Sequence, residues 1–200
     1  MKKILCVGYR NWALNIYEKI VKNYSGGEVY VIKSYEEYCD SFVREYNPDF
    51  ILFYGWSWVV SGDIIGDYKC IMLHPSKLPK YRGGSPIQNQ IIRGEKDSAV
   101  TLFFMNEEMD SGDIVFQESM SLSGSIGDIF NRIEELGYKG TMRFLDNPAD
   151  GIKQIEGDAT YFKRRTKRQS EITLKELKGQ SAEYIYNKVR MLQDPYPNAY

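Results

Sequence analysis

The chain has 200 residues, 42% of them apolar, and 26 Lys and Arg against 27 Asp and Glu. This length and composition predict one globular domain, or one and a fragment of another, with a sizeable core and no membrane-spanning helix. The net charge of −1 argues against a protein that holds nucleic acid mainly by charge. Three cysteines without CxxC spacing favour reduced thiols and a cytoplasmic location, and a single histidine argues against a Cys/His metal site.

The first 73 residues alternate short apolar runs with segments of helical spacing. Such runs are typical of buried parallel strands, and their alternation with helices indicates βαβ units. The predicted strands are 3–7, 28–32, 49–54 and 69–73, and the predicted helices are 12–21, 34–45 (with Ser34 as N-cap) and 62–68. The expected fold is therefore α/β, a Rossmann-like domain with a central, mostly parallel sheet.

The second half of the chain begins with a loop rich in proline and glycine, 74–86. After this loop we predict helices at 87–93, 126–145 and 182–192, and strands at 99–105 and 113–116. For the basic stretch 163–168, a solvated loop is favoured over a contact with a substrate pyrophosphate. We expect a catalytic domain at 1–178, then a C-terminal helix and lead-in at 179–200, with the chain truncated after Tyr200.

Two features of the sequence are candidates for acid–base chemistry. His74 is the only histidine and directly follows a predicted parallel strand, at the edge where open α/β sheets place ligands. From position alone, a histidine bonded to a loop carbonyl is slightly favoured. The turn 109–113 holds two carboxylates, Asp110 and Asp113, although Asp, Ser and Gly are also ordinary turn formers. Beside His74, one of these carboxylates would fix the imidazole tautomer and raise its basicity.

The loop after His74 also carries a group of cations, Lys77, Lys80 and Arg82, beside Gly83 and Gly84. Cationic side chains and exposed backbone N–H groups suit phosphate oxygens, although lysine and arginine are common on loops. The segment that follows the first strand, GYRN, is not a GxGxxG motif, so the sequence does not support dinucleotide binding of that kind.

Two motifs in this chain resemble those of the formyltetrahydrofolate-dependent formyltransferases. The loop HPSKLPKYRGGSPIQ, 74–88, resembles the signature His-x-Ser-x-Leu-Pro-x-aromatic-Arg-Gly followed by Pro-Ile-Gln. The segment MNEEMDSGDI, 105–114, resembles the second motif, and Asp110 follows His74 at the family's spacing of 36 residues. The DPYP segment at 194–197 resembles a motif near the family's second domain. Size and sequence character are most similar to the sugar N-formyltransferases.

The resemblance implies transfer of a formyl group from N10-formyltetrahydrofolate to the amine of a nucleotide-linked 3- or 4-amino-dideoxysugar, as in O-antigen or lipopolysaccharide biosynthesis. His74 would take the proton of the amine, and Asp110 would hold the imidazole. The residues implied for substrate binding are Tyr9, Lys77, Lys80, Arg82, Gly83, Gly84 and Gln88. Those implied for binding the folate are Trp56, Trp58, Val60, Glu107 and Asp110. No metal is implied.

The sequence departs from the family pattern at Met72, where the family has a catalytic asparagine. A thioether accepts hydrogen bonds weakly and donates none, so it cannot stabilise an oxyanion. Three interpretations stay open. Asn89 or Gln88 replaces the missing amide; a backbone N–H or protonated His74 suffices; or the protein binds its ligands and catalyses poorly. We favour the first and take Asn89 as the third catalytic residue.

Other assignments also have two interpretations. Trp56 and Trp58 fall where the family lines its folate pocket, but two tryptophans could equally cover a sheet edge. Tyr196 fits a stack on a nucleotide base or a contact with a second copy in a homodimer. Two further function classes remain: a ligand-binding or regulatory protein, and a formyltransferase for another amine such as an aminoacyl-tRNA. The balanced charge weighs against the last, so we expect no nucleic acid as a partner. No membrane partner is expected either, because no apolar stretch is long enough to span a bilayer.

Overall fold

The computed structural model describes residues 1–200 and contains a six-stranded sheet with helices on both faces. The strands are β1 (Lys2–Val7), β2 (Gly27–Ile32), β3 (Phe50–Phe53), β4 (Cys70–His74), β5 (Arg82–Gly83), β6 (Asp97–Phe104), β7 (Ile114–Ser121) and β8 (Tyr161–Phe162). The α-helices are α1 (Asn11–Asn23), α2 (Asp40–Tyr46), α3 (Gly62–Asp67), α4 (Pro86–Ile92), α5 (Ile126–Asp146), α6 (Leu174–Gly179) and α7 (Ala182–Met191).

The large sheet has the strand order β2-β1-β3-β4-β6-β7. The first four strands are parallel, and β6 and β7 continue the sheet in antiparallel pairing. The parallel strands are joined by α1, α2 and α3, as the alternation of apolar runs and helical segments predicts. The predicted α/β fold with a mostly parallel sheet is confirmed.

Apolar side chains cover both faces of this sheet. On one face, α1 and α5 pack on a cluster of 25 buried residues that includes Ile71 and Leu73 of β4. On the other, α2 and α3 contribute to a smaller cluster of 10 buried residues. Because side chains alternate along a strand, Met72 and His74 share the opposite face of β4 from Ile71 and Leu73. The core therefore fixes the direction in which His74 points.

Two predicted elements differ from the structure. The helix predicted at 34–45 begins only at Asp40, since Tyr35 and Tyr38 pack their rings on Trp58 and Trp56, with centroids 4.9 and 5.4 Å apart, which holds the preceding residues as a turn. The strand predicted at 113–116 extends to Ser121, because β7 pairs with the whole of β6.

The C-terminal segment packs on the same core as the rest of the chain. Met191 and Leu192 belong to the larger buried cluster, and α7 lies against α4. The division into a domain at 1–178 and an element at 179–200 stays a prediction. None of the helices is both long and apolar enough to cross a bilayer.

Candidate active site

His74 ends β4 at the carboxyl edge of the parallel strands, with 5% of its surface exposed. Its Nε2 lies 2.8 Å from the carbonyl oxygen of Tyr81. Because a carbonyl oxygen only accepts hydrogen bonds, Nε2 carries a proton and donates it. Nδ1 is therefore the ring nitrogen that is free to accept a second proton.

Asp110 brings its carboxylate to the free side of this ring. Its Oδ2 lies 3.5 Å from Nδ1 of His74 and accepts a hydrogen bond of 2.7 Å from the backbone N–H of Gly83. The two residues, 36 positions apart in the chain, thus face each other as their motifs suggest. The expectation that the carboxylate fixes the tautomer is wrong, because the carbonyl of Tyr81 does so from the opposite side of the ring.

The backbone around this pair is strained. Three of the four residues other than glycine with positive φ surround it: Tyr81 at 62°, Ser85 at 51° and Asp110 at 54°. Each such conformation costs on the order of 1–3 kcal/mol and persists only where the surrounding structure enforces it. The loops therefore hold His74 and Asp110 in a fixed arrangement.

Arg82 enforces part of that arrangement from outside the cavity. Its side chain is fully buried (0% exposed), and it donates to Gln154 Oε1 and to both carboxylate oxygens of Glu156. Gln154 in turn donates to the carbonyls of Asp110 and Gly112, at 2.9 and 2.8 Å. The predicted role of Arg82 as a phosphate ligand is therefore wrong, because Nε, Nη1 and Nη2 of its guanidinium all donate to protein groups.

His74 and Asp110 open into a cavity of about 900 Å³. It is bounded by the β3–α3 loop, the start of α4, the segment after β8 and the C-terminal segment; the predicted site residues that line it are Trp56, Trp58, His74, Gly83, Gly84, Gln88 and Asp110. Met72 also lines it, on the strand face that carries His74. A volume of this size is ordinary for a small-molecule site.

The charge of the cavity wall is strongly asymmetric. Asp110 is the one carboxylate, whereas Arg10, Lys163, Arg164 and Arg165 all line the cavity. Arg165 is half-buried, and burial lowers the pKa of its guanidinium. Such a wall favours an anionic ligand. The loop predicted at 163–168 is confirmed for 163–166, where Lys163 and Arg164 are exposed, and Lys163, Arg164 and Arg165 also border the cavity.

An aromatic group stands at one side of the cavity. Trp56 and Trp58 lie 4.7 Å apart between ring centroids, and Tyr9 and Tyr35 pack on Trp58 at 4.8 and 4.9 Å. Trp58 is 40% exposed, and Nε1 of Trp56 is buried without a hydrogen-bond partner. Flat apolar walls with an unused donor suit a planar heterocycle.

Several residues predicted for the site do not reach the cavity. Lys77, Lys80 and Glu107 are exposed elsewhere, and Val60 is buried in the smaller core cluster. Tyr9 stands just behind the wall, where its hydroxyl and Ser57 Oγ are 2.8 Å apart. Nδ2 of Asn89 donates to the Gly84 carbonyl at 2.8 Å, so this amide is committed to the loop and is not free as a catalytic donor.

Arg10 and Tyr35 were not predicted from the sequence as site residues. Arg10 follows β1 at the same carboxyl edge as His74, a position that alone could have singled it out. Tyr35 gave no signal, because its approach to Trp58 depends on the turn that replaces the start of the predicted helix.

The sequence profile of the formyl transferase family matches residues 13–145. The methionyl-tRNA formyltransferase of Halalkalibacterium halodurans is 32% identical over 163 residues, which cover 78% of this chain and 50% of that protein. The chain spans about half the length of the curated sequence relatives it matches. These sequence relatives are methionyl-tRNA formyltransferases, whereas the sequence led us to expect sugar N-formyltransferases.

A solved structure gives the same family. Methionyl-tRNA formyltransferase from Clostridium thermocellum superposes with a TM-score of 0.91 at 32% identity, covering 100% of this chain and 87% of that one. WlaRD, a sugar 3N-formyl transferase solved in the presence of dTDP and 5-N-formyl-THF, has a TM-score of 0.71 at 22% identity over 98% of this chain and 82% of its own, a likeness of fold alone. From its profile match and its similarity to these proteins, this chain belongs to the formyl transferase family.

Proposed function

We propose that the protein transfers a formyl group from N10-formyltetrahydrofolate to an amine. The observation that carries this proposal is the geometry of His74, whose free Nδ1 faces the cavity 3.5 Å from the carboxylate of Asp110. An amine must lose a proton as it attacks a carbonyl carbon, and a neutral imidazole is a natural acceptor near pH 7.

The residues present fit a folate. The tryptophans and tyrosines beside the cavity offer flat walls for a pterin ring, and the unpartnered Nε1 of Trp56 offers it a hydrogen-bond donor. When bound, N10-formyltetrahydrofolate supplies the formyl group on a nitrogen that can leave once protonated. Trp56 and Trp58 would orient the ring, with Tyr35 added to the predicted set.

His74 and Asp110 have distinct tasks in this mechanism. As the amine nitrogen bonds to the formyl carbon, Nδ1 of His74 takes the amine proton, while Nε2 stays bonded to Tyr81. The carboxylate of Asp110 then pairs with the imidazolium and stabilises it. His74 returns the proton to the departing N10, so the products are a formamide and tetrahydrofolate and the imidazole is neutral again.

Negative charge develops on the formyl oxygen during the attack, and position 72 supplies no donor for it. Asn89 is bonded to Gly84, which removes it as a replacement. We assign the stabilisation of this oxygen to the positive charge that His74 gains, which acts through space because both ring nitrogens are bonded to other groups, Tyr81 and Asp110.

For the acceptor we propose a nucleotide-linked amino sugar, because the cavity is the size of a small-molecule site and its wall is cationic. Methionyl-tRNA is the second candidate, and the identity of the sequence relatives favours it. Incubation of the protein with N10-formyltetrahydrofolate and each acceptor, with the formylated product measured, separates the two. Formylation of methionyl-tRNA alone would refute the sugar substrate, and no formylation of any amine would refute the proposed function.

A further inference from the structure

Thr160 binds both peptide groups that flank Tyr81, the residue whose carbonyl oxygen meets His74. Its Oγ1 accepts a hydrogen bond of 2.8 Å from the N–H of Tyr81, and its carbonyl oxygen accepts one of 2.8 Å from the N–H of Arg82. Because the C=O and N–H of a planar trans peptide point in opposite directions, the second bond turns the Tyr81 carbonyl away from Thr160 and toward Nε2 of His74. Thr160 therefore sets the direction of this carbonyl.

The backbone conformation of Tyr81 requires such support. Its φ of 62° lies in the left-handed region, which a residue with a bulky side chain rarely adopts. Besides the bond to Thr160, its hydroxyl donates to Oε1 of Glu95 at 2.8 Å and its ring stacks on Phe162 with centroids 4.9 Å apart. Tyr81 is buried by these contacts, whereas Thr160 is exposed, so the threonine can be replaced without disturbing the core.

Two acceptors compete for the single proton of the neutral His74 ring. The Tyr81 carbonyl lies 2.8 Å from Nε2, and the carboxylate of Asp110 lies 3.5 Å from Nδ1. A proton on Nδ1 would face the carboxylate, but that nitrogen could then no longer act as a base. Since the hydrogen bond at one ring nitrogen sets the protonation of the other, Nδ1 stays free only while the Tyr81 carbonyl is directed at Nε2.

We propose that Thr160 is a positioning residue, whose hydroxyl holds Tyr81 so that His74 keeps its proton on Nε2 and Nδ1 can accept the proton of the amine. The proposal rests on the proposed function, in which Nδ1 is the base. Thr160 does not line the cavity. Its effect is therefore transmitted through Tyr81 and His74, without contact with a substrate.

The tautomer can be measured without turnover. Because His74 is the only histidine, ¹⁵N NMR of tag-free protein labelled at histidine reports the protonation of its two ring nitrogens without overlap. Thr160→Val keeps the shape of the side chain and removes the acceptor, and Thr160→Ala removes the acceptor without adding a methyl group. Thr160→Ser keeps the hydroxyl and is the rescue variant. Thr166→Val, which removes another exposed hydroxyl outside the cavity wall, is the matched control.

At a pH where the ring is neutral, the wild type should carry its proton on Nε2. In Thr160→Val and Thr160→Ala the ratio of the two tautomers should shift about tenfold toward the Nδ1–H form, the effect expected for the loss of one hydrogen bond. In these variants kcat should fall in proportion to the remaining fraction of the Nε2–H form, while the acceptor KM stays unchanged. Thr160→Ser and Thr166→Val should give the wild-type spectrum.

The outcomes separate this proposal from the proposed function. An unchanged tautomer ratio in both Thr160→Val and Thr160→Ala overturns the positioning role and leaves formyl transfer untouched. A shift of the same size in Thr160→Ser or Thr166→Val also overturns it, because the hydroxyl of Thr160 would not be the cause. A neutral wild-type ring protonated on Nδ1 overturns both this role and the assignment of Nδ1 as the base. A shifted ratio in a protein that formylates no amine supports the positioning role and refutes the proposed function.

Discussion

Nδ1 of His74 lies 3.5 Å from Oδ2 of Asp110, while Nε2 on the other side of the ring lies 2.8 Å from the carbonyl of Tyr81. The backbone carbonyl thus fixes the tautomer, and the carboxylate stands beside the nitrogen that gains a proton. The arrangement differs from a catalytic triad, in which a carboxylate binds the nitrogen remote from the reaction. Asp110 therefore acts on the imidazolium and has no part in orienting the neutral ring.

Replacement of Asp110 by asparagine tests this role. The variant keeps the shape of the side chain but removes the charge that stabilises the imidazolium, so kcat should fall roughly 100-fold. Tetrahydrofolate binding should be retained. Asp113→Asn, in the same turn but outside the cavity wall, is the control and should keep full activity. Equal losses in both variants would show that only the fold of the turn matters.

Arg82→Met tests whether this arginine is a positioning residue. The variant keeps the apolar stem but removes the guanidinium that holds Gln154, and with it the support of the Asp110 turn. We expect a loss of about 2 kcal/mol in the free energy of unfolding and a lower kcat. The acceptor KM should stay near its wild-type value. A raised KM with unchanged kcat would restore Arg82 as a substrate ligand.

Because Gly84 has no side chain, the segment that carries Arg164 can lie directly against the loop 74–86. A Cβ at Gly84 would stand 2.3 Å from the backbone nitrogen of Arg164, so Gly84→Ala must displace one of the two segments. Such overpacking typically costs about 1–3 kcal/mol, and the displacement should raise the acceptor KM. Gly157→Ala, where a Cβ meets nothing within 4 Å, is the control for thermal unfolding and kinetics. Identical KM values in the two variants would contradict the placement of Arg164.

Glu176 gives a pH dependence of stability. Hydrogen bonds from Lys188 and from the N–H of Thr173 lower the pKa of this carboxyl from 4.5 to about 2. Because the folded pKa is depressed, the stabilisation is complete above pH 4.5 and is lost as the pH falls toward 2. Relative to Glu176→Gln, the wild type should lose about 1 kcal/mol over this window, allowing for solvent screening. The free energy of unfolding of both proteins is measured from about pH 6 to about pH 3. A difference between the two proteins that stays constant over this range would contradict the assignment.

The sequence was sufficient for the sheet and for the pair His74 and Asp110, because buried strands show as apolar runs and the two motifs are long. It was insufficient wherever a role depends on a partner far along the chain. From the sequence, Arg82 is a candidate phosphate ligand, whereas in the structure its guanidinium is bonded to Gln154 and Glu156. Asn89 is likewise a candidate catalytic amide in the sequence, whereas in the structure its Nδ2 donates to the carbonyl of Gly84. Arg164 becomes a cavity residue only because β8 pairs with β5.

The most direct test of the mechanism is the rate of formyl transfer by wild-type protein and by His74→Gln. Glutamine can keep a donor toward the Tyr81 carbonyl but has no base at the position of Nδ1. We predict that the variant folds and binds tetrahydrofolate but that kcat falls by about 10²–10⁴, the usual contribution of a general base. A His74→Gln protein that forms the formamide product at the wild-type rate would contradict the assignment of His74 as the proton acceptor.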